Sequence, residues 1–256
     1  MQLEQMFAQL QADAGAALRA TQALASHLKQ LVAAASDGNV RDIERSLAES
    51  RTGCEAVAQH VDNAATQWRW DISAAMEDGR YLKELEAAAA ALSVQLYVAD
   101  DRIHCFPLIA KLLPHELAVD IDGVRHRAIR PTKLAAEIKK RQARPARFRP
   151  ETFLQALVDA YDLVAGLREV AHGLPPVVRL IDIHGALTLL PGSEREYTRH
   201  EFARDLYRLD EGGHLTTRQG RRLEFSAATG AKSRTSVLTT LTRDGRVKEY
   251  WGISVS

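Results

Sequence analysis

Apolar residues recur along the first 70 positions in steps that alternate between four and three. The row Leu3, Phe7, Leu10, Ala14, Ala17, Thr21, Leu24, Leu28, Leu31 and Ala35 has this spacing. A second row, Val40, Ile43, Leu47, Ser50, Cys54, Val57, Val61, Ala64 and Trp68, repeats it. Such steps place the residues on one stripe of an α-helix, the heptad seam of coiled coils. Ser36-Asp37-Gly38-Asn39 between the rows has the composition of a turn. The pattern predicts two helices folded back as an antiparallel, coiled-coil-like hairpin. At 1.5 Å per residue each arm is roughly 45–50 Å long. Cys54, on the seam, is expected to be a buried thiol. Trp68 and Trp70 are expected to plug the junction at the hairpin base. Two roles suit such a pair: a helical subdomain packed on the rest, or an arm that docks a protein partner or a second copy.

The period then changes. Tyr81, Leu82, Leu85, Ala89 and Leu92 fall on one side of a predicted helix. LYVADDRIHCF alternates about Asp100-Asp101, and LAVDIDGVRHRAI alternates about Asp122-Gly123, the pattern of β-hairpins. A two-residue turn at Asp122-Gly123 sets Ile121 against Val124, Val119 against His126, Leu117 against Ala128 and Asp120 against Arg125. Asp120-Ile121-Asp122-Gly123 begins like a calcium loop, but Pro131 stands where the closing Glu belongs.

Further on, PPVVRLIDIHGALTLLPG carries helix punctuation at both ends. Thr198-Arg199-His200-Glu201 is a capping box. It opens a helix with Phe202, Leu206 and Leu209 on one side and Arg204 and Arg208 on another. Two hairpins follow, about Gln219-Gly220 and Asp244-Gly245. Helix, helix and twisted hairpins in this order resemble a winged helix. The expected fold is α+β: a helical hairpin over 1–78, an α/β-hairpin module over 79–150, and a winged-helix-like module over 151–256.

Composition narrows the function. No apolar run approaches the length of a membrane span, and the N-terminus lacks the basic region of a secretory signal. Cys54 and Cys105 give no disulfide framework and fit a reducing cytoplasm. The net charge of +1 conceals a division of sign. The first 100 residues carry eight Lys/Arg against fourteen Asp/Glu, the next fifty carry twelve against five, and the remainder balances. Residues 123–149 hold ten cations, among them Arg125, Arg127, Arg130, Lys139, Lys140, Arg141 and Arg144, and one acid, Glu137. Seven of the ten are Arg, the residue whose planar fork fits phosphate. An acidic polymer is the expected partner, DNA first, although the acidic hairpin could also neutralise this segment. With two-residue turns, Arg218 faces Arg221 beside Arg222, and Arg243 faces Arg246. Such like-charge pairs predict an anion at each tip. Arg204 and Arg208, one turn apart, would extend the same surface along a recognition helix.

Candidate chemistry adds little. Asp182-Ile183-His184-Gly185 resembles the first metal-ligand loop of calcineurin-like metallophosphoesterases. That family's further ligand strings do not follow, and the flanking prolines place these residues in a helix. ATGAKS at 228–233 lacks the glycine spacing of a phosphate-binding loop. No HExxH, GxSxG or GxGxxG occurs. The chain therefore reads as a non-enzymatic DNA-binding or adaptor subunit of a nucleic-acid-processing complex, without cofactor or metal. The alternatives are a metal-dependent hydrolase or nuclease using Asp182, His184 and His200, or a purely structural assembly protein.

Overall fold

A computed structural model describes residues 2–144, 148–166, 175–190, 192–193, 197–227 and 236–256. The chain forms two compact units. The first comprises Met1–Ala88, Pro114–Leu117 and Ala128–Ala135, and the second Ala89–Leu113, Ala118–Arg127 and Ala136–Ser256. No helix among the described residues is long and apolar enough to cross a membrane.

The first unit is dominated by α1 (Leu3–Asp37) and α2 (Val40–Gln67). Gly38, in the left-handed conformation (φ 68°), ends α1, and the Asn39 side chain caps α2 by accepting from the Asp42 amide. The predicted hairpin is there, but its seam is turned by one residue. Leu10, Leu24 and Leu31 do face inward with Ile43, Ser50 and Val57. Their companions across the seam are Asp13, Ala20, His27 and Ala34 against Ser46, Gly53, His60 and Gln67. The expected companions Ala14, Thr21, Leu28 and Ala35, with Leu47, Cys54 and Val61, are exposed on a flank of the pair. Cys54 is thus no buried thiol. A Cβ at Gly53 would touch Leu24, which shows how closely the backbones approach there.

At the hairpin base Phe7 packs on Trp68 with ring centroids 5.8 Å apart, and Arg80 stands over Trp70. The expected plug is therefore two separate contacts. Short helix α3 (Ile72–Glu77) leads into α4 (Arg80–Ala91). Glu84 on α4 accepts from the Leu3 and Glu4 amides at 2.6 and 2.9 Å, supplying a carboxylate to the unpaired N–H groups at the α1 N-terminus.

The second unit starts with a five-stranded antiparallel meander in sequence order. Its strands are β1 (Tyr97–Ala99), β2 (Arg102–Cys105), β3 (Leu108–Leu113), β4 (Ala118–Ile121) and β5 (Val124–His126). The Asp122-Gly123 hairpin has the expected register from Ile121 to Val119, and pairing stops before Leu117. Both turn residues have positive φ (49° and 76°), as a two-residue turn with the strand twist requires. Helix α5 (Pro131–Gln142) follows.

The C-terminal part orders its elements as α6 (Pro150–Gly166), β6 (Val178–Arg179), α7 (Leu180–Leu187), α8 (Arg199–Gly212), β7 (Leu223–Ser226), β8 (Leu238–Leu241), β9 (Val247–Tyr250) and β10 (Gly252–Val255). Strand β10 lies between β6 and β7, and β8 pairs with β9. The first predicted hairpin is reduced to one bridge, Thr216 with Arg222, because β7 pairs with β10 instead. Leu154, Leu157, Leu180, Ile183, Phe202, Leu206, Leu209, Leu223 and Ile253 fill the core beneath these helices. Each fully buried side chain of this kind stabilises the fold by about 1.5–3 kcal/mol.

Candidate nucleic-acid interface

The fold disperses the basic segment. Arg130 lies in the first unit, where its Nε donates to Glu4 at 2.6 Å and its Nη1 to Gln11 at 2.9 Å. A carboxylate of the acidic hairpin thus holds this arginine of the predicted set. In the second unit the meander separates the rest. Register aligns Arg102, Lys111, Asp120 and Arg125 across one face of the sheet, and a recess there is completed by Thr198 and Glu201 at the start of α8. His126, one residue after Arg125, stands beside Glu137 and Arg141 of α5. Neighbours on a strand point to opposite faces, so α5 and α8 cover opposite faces of the meander. Arg125 therefore belongs to the α8 side and the cations of α5 to the other. Arg127 is exposed beyond the end of β5.

On α5, Arg141 is half-buried and paired with Glu137 at 3.0 Å. Lys139 donates to the Leu92 carbonyl. Lys139, Lys140 and Arg144 remain exposed.

The two arginine tips differ from the expected arrangement. Each turn has three residues rather than two. Thr217 faces Arg221 and Thr242 faces Arg246, with Gly220 and Gly245 alone at positive φ. No arginine faces another across either turn, and the fold supplies the anions. Arg218 pairs with Glu151, Arg221 with Asp162, Arg222 with Glu224, Arg243 with Glu211 and Arg246 with Asp244. The second tip also rests on Tyr97, since a Cβ on Gly245 would fall 2.3 Å from that ring. Exposed pairs of this kind contribute about 0–1 kcal/mol, so Arg218, Arg222, Arg243 and Arg246 can exchange a carboxylate for a phosphate at little cost.

Arg204 and Arg208 cannot. Helix α8 is covered on both sides: Phe202, Leu206 and Leu209 face the core, and Tyr207 meets Phe106 of the meander at 5.5 Å. Arg204 is 13 % exposed and bridges Asp122 (2.6 Å) and Asp205 (3.2 Å). Arg208, 15 % exposed, sits 3.6 Å from Asp205 and over the Phe148 ring. Burial pushes the Asp205 carboxyl up, against the pull of both guanidinium groups and the Tyr197 hydroxyl. Burial works against the charge on Arg204, but Asp205 and Asp122 outweigh it and hold the guanidinium protonated. The pair expected on an outward recognition face is an interior clamp.

What the fold does assemble is a groove of about 840 Å³ lined by residues at the C-terminal ends of α5 and α8. Gln142 and Arg144 line it together with Arg208, Glu211 and His214 and the rings of Tyr97, Phe106 and Phe148. Arg243 lies over the Phe106 ring at 4.7 Å. Cations beside half-buried aromatic rings in an open recess suit a phosphodiester strand with unstacked bases. The arginines are legible in the sequence, but the aromatics carry no local motif and come together only through tertiary packing of the meander and the segment before α6.

The residues proposed for chemistry have structural duties. Asp182 takes a two-pronged contact from Arg179 at 2.9 Å, and the buried His184 Nε2 lies 2.9 Å from the Tyr197 carbonyl. His200 lies half-buried beside His104. Burial pushes the Cys105 thiol up to about 12, which leaves it inert. Among the described residues no group of three or more His, Cys, Asp or Glu is placed to hold a metal ion. The ATGAKS string lies outside the described residues. Comparison of the chain with protein-family models, curated proteins and solved structures finds no match in any of the three.

Proposed function

We propose that the protein is a non-enzymatic DNA-binding adaptor subunit of a larger nucleic-acid-processing assembly. It would take a single strand along the exposed cations of α5 into the arginine and aromatic groove. The groove carries this reading: three aromatic residues and the exposed Arg144 and Arg243 share one open recess that continues the basic face of α5. Phosphate contacts of this type give affinity with little sequence choice.

The helices α6, α7 and α8 followed by strands, with β10 between β6 and β7 and the separate β8–β9 hairpin inserted before β10, support a winged-helix-like reading of the C-terminal part. Its third helix, α8, would read a major groove in a DNA-binding winged helix. Here that helix is packed against the meander, so the arrangement supports a scaffold role for it and directs DNA to the groove instead.

Fluorescence anisotropy with labelled oligonucleotides tests the proposal. Contacts from Lys139, Lys140, Arg144 and Arg243 predict a log–log salt slope of about −3 on single strands. Lys140→Glu with Arg144→Glu should weaken binding at least tenfold, and Arg218→Glu should not. Tighter binding to duplex than to single strand would refute the groove. Equal loss from both sets of variants would refute a defined site altogether.

A further inference from the structure

Half of the helical hairpin's seam, the row beside Leu10, Leu24, Leu31, Ile43 and Val57, is poor in apolar bulk. Ser46 and Ser50 are buried in the seam with hydroxyls that lack partners, beside Gly53, His60 and Gln67. The bulk lies instead on one flank. Phe7 and Trp68, in contact at the base, mark two rows that run side by side up the hairpin. One row continues through Ala14, Thr21, Leu28 and Ala35, the other through Val61, Cys54, Leu47 and Val40. One turn away, Leu18, Ala25 and Val32 widen the first, and all of these residues except Phe7 are exposed. Apolar residues at the two seam positions and at one adjoining position are the pattern of helices in a bundle, which need neighbours beyond a single partner.

With roughly 150–200 Å² for a fully exposed Leu or Val side chain, Leu28, Val32, Val40 and Leu47, at 44, 71, 65 and 53 % exposure, leave about 400 Å² uncovered. The alanines and Cys54 between them bring the face towards the ~800 Å² per partner of a stable dimer.

We infer that this flank is the interface with a second copy of the chain, which closes a four-helix bundle. The face matches itself. Glu44 and Arg51 are the only charges on the part of it between Leu18 and Cys54. A copy reversed about a two-fold axis beside Leu28 and Leu47 sets Glu44 against the other copy's Arg51. The same axis places Val32 over Ala25, Val40 against Cys54, and each of the two leucines on its own counterpart. Large residues then meet small ones, and the opposite charges meet at the rim.

The test uses the full chain. Sedimentation equilibrium should give a dimer. Leu28→Glu with Leu47→Glu should yield a monomer of unchanged helical content. Glu44→Arg should weaken dimerisation at least fivefold, and adding Arg51→Glu should restore it. Positions 40 and 54 are 14 residues apart on one helix, roughly 21 Å, beyond disulfide reach within a chain. Oxidised Val40→Cys should therefore form a covalent dimer through Cys54 of the other copy, whereas the wild-type protein, with its two Cys54 residues roughly 20 Å apart, should not. A monomer at every concentration overturns the inference. So does a dimer indifferent to the leucine substitutions, or a Val40→Cys protein that fails to cross-link.

Discussion

Asp205 is 9 % exposed and lies between two guanidinium groups, with the Tyr197 hydroxyl 3.1 Å away. Taking away Arg204 would leave Asp122 without its guanidinium partner and the buried Asp205 with only the more distant Arg208. Breaking a buried pair from one side costs about 3–5 kcal/mol, far more than the pair contributes when intact. Arg204→Ala is expected to destabilise the second unit by that amount in urea denaturation, whereas Arg218→Ala, on an exposed pair, should cost under about 1 kcal/mol. Similar losses from the two would mean that the clamp is solvated. Glu4 allows a second test. Burial alone would raise its carboxyl, but hydrogen bonds from Arg130 and Thr132 outweigh that and hold it below the ordinary 4.5. A depressed carboxyl stabilises the folded state above its ordinary value and stops doing so as pH falls through the folded one. Glu4→Gln should thus lower stability at neutral pH and flatten the acid limb of a stability–pH curve. An unchanged acid limb would show that the Arg130 clasp contributes nothing.

Between elements, β2 and α8 meet through two histidines. Burial lowers both His104 and His200. For His104 the neighbouring His200 adds to this, and for His200 the charges of Arg102 and Lys111 do, with Asp100 and Glu201 acting the other way. Depressed histidines contribute stability that is complete above the ordinary 6.5 and disappears as pH falls. Unfolding of the second unit should become easier from about pH 6.5 downward. A His104→Gln, His200→Gln variant should lose that part of the slope, and a slope that survives both changes would place its cause elsewhere. Heptad counting found both long helices and half of each seam, but it favours apolar volume. It therefore put Leu28, Leu47 and Val61 inside, where the fold has His27, Ser46 and His60. Asp122-Gly123 was legible because both residues tolerate positive φ. Gln219-Gly220 was not a two-residue turn, since that would force Gln219 into the left-handed region. The extra residue shifted Arg218 out of register with Arg221.

At the scale of the whole molecule, the candidate site and the hairpin flank bear on one measurable quantity. The arginines were visible in the sequence, but their partners were not, because Glu151, Asp162 and Glu211 reach them only through tertiary packing. What remains for a strand is a short run of exposed cations and one groove, a modest site for a single copy. Two copies joined through their hairpins would carry two such sites in one particle. Once a strand occupies one, the other meets it at the effective concentration set by the connection, which can raise overall affinity by about 10²–10⁴ without a new contact. Affinity should therefore climb steeply once an oligonucleotide is long enough to reach both grooves. The step should vanish in the Leu28→Glu, Leu47→Glu protein while short-strand affinity stays unchanged. A length dependence that persists in this variant would detach strand binding from dimerisation. If the variant instead loses short-strand affinity, then the flank itself contributes to the binding site, and hairpin and groove do not divide the labour.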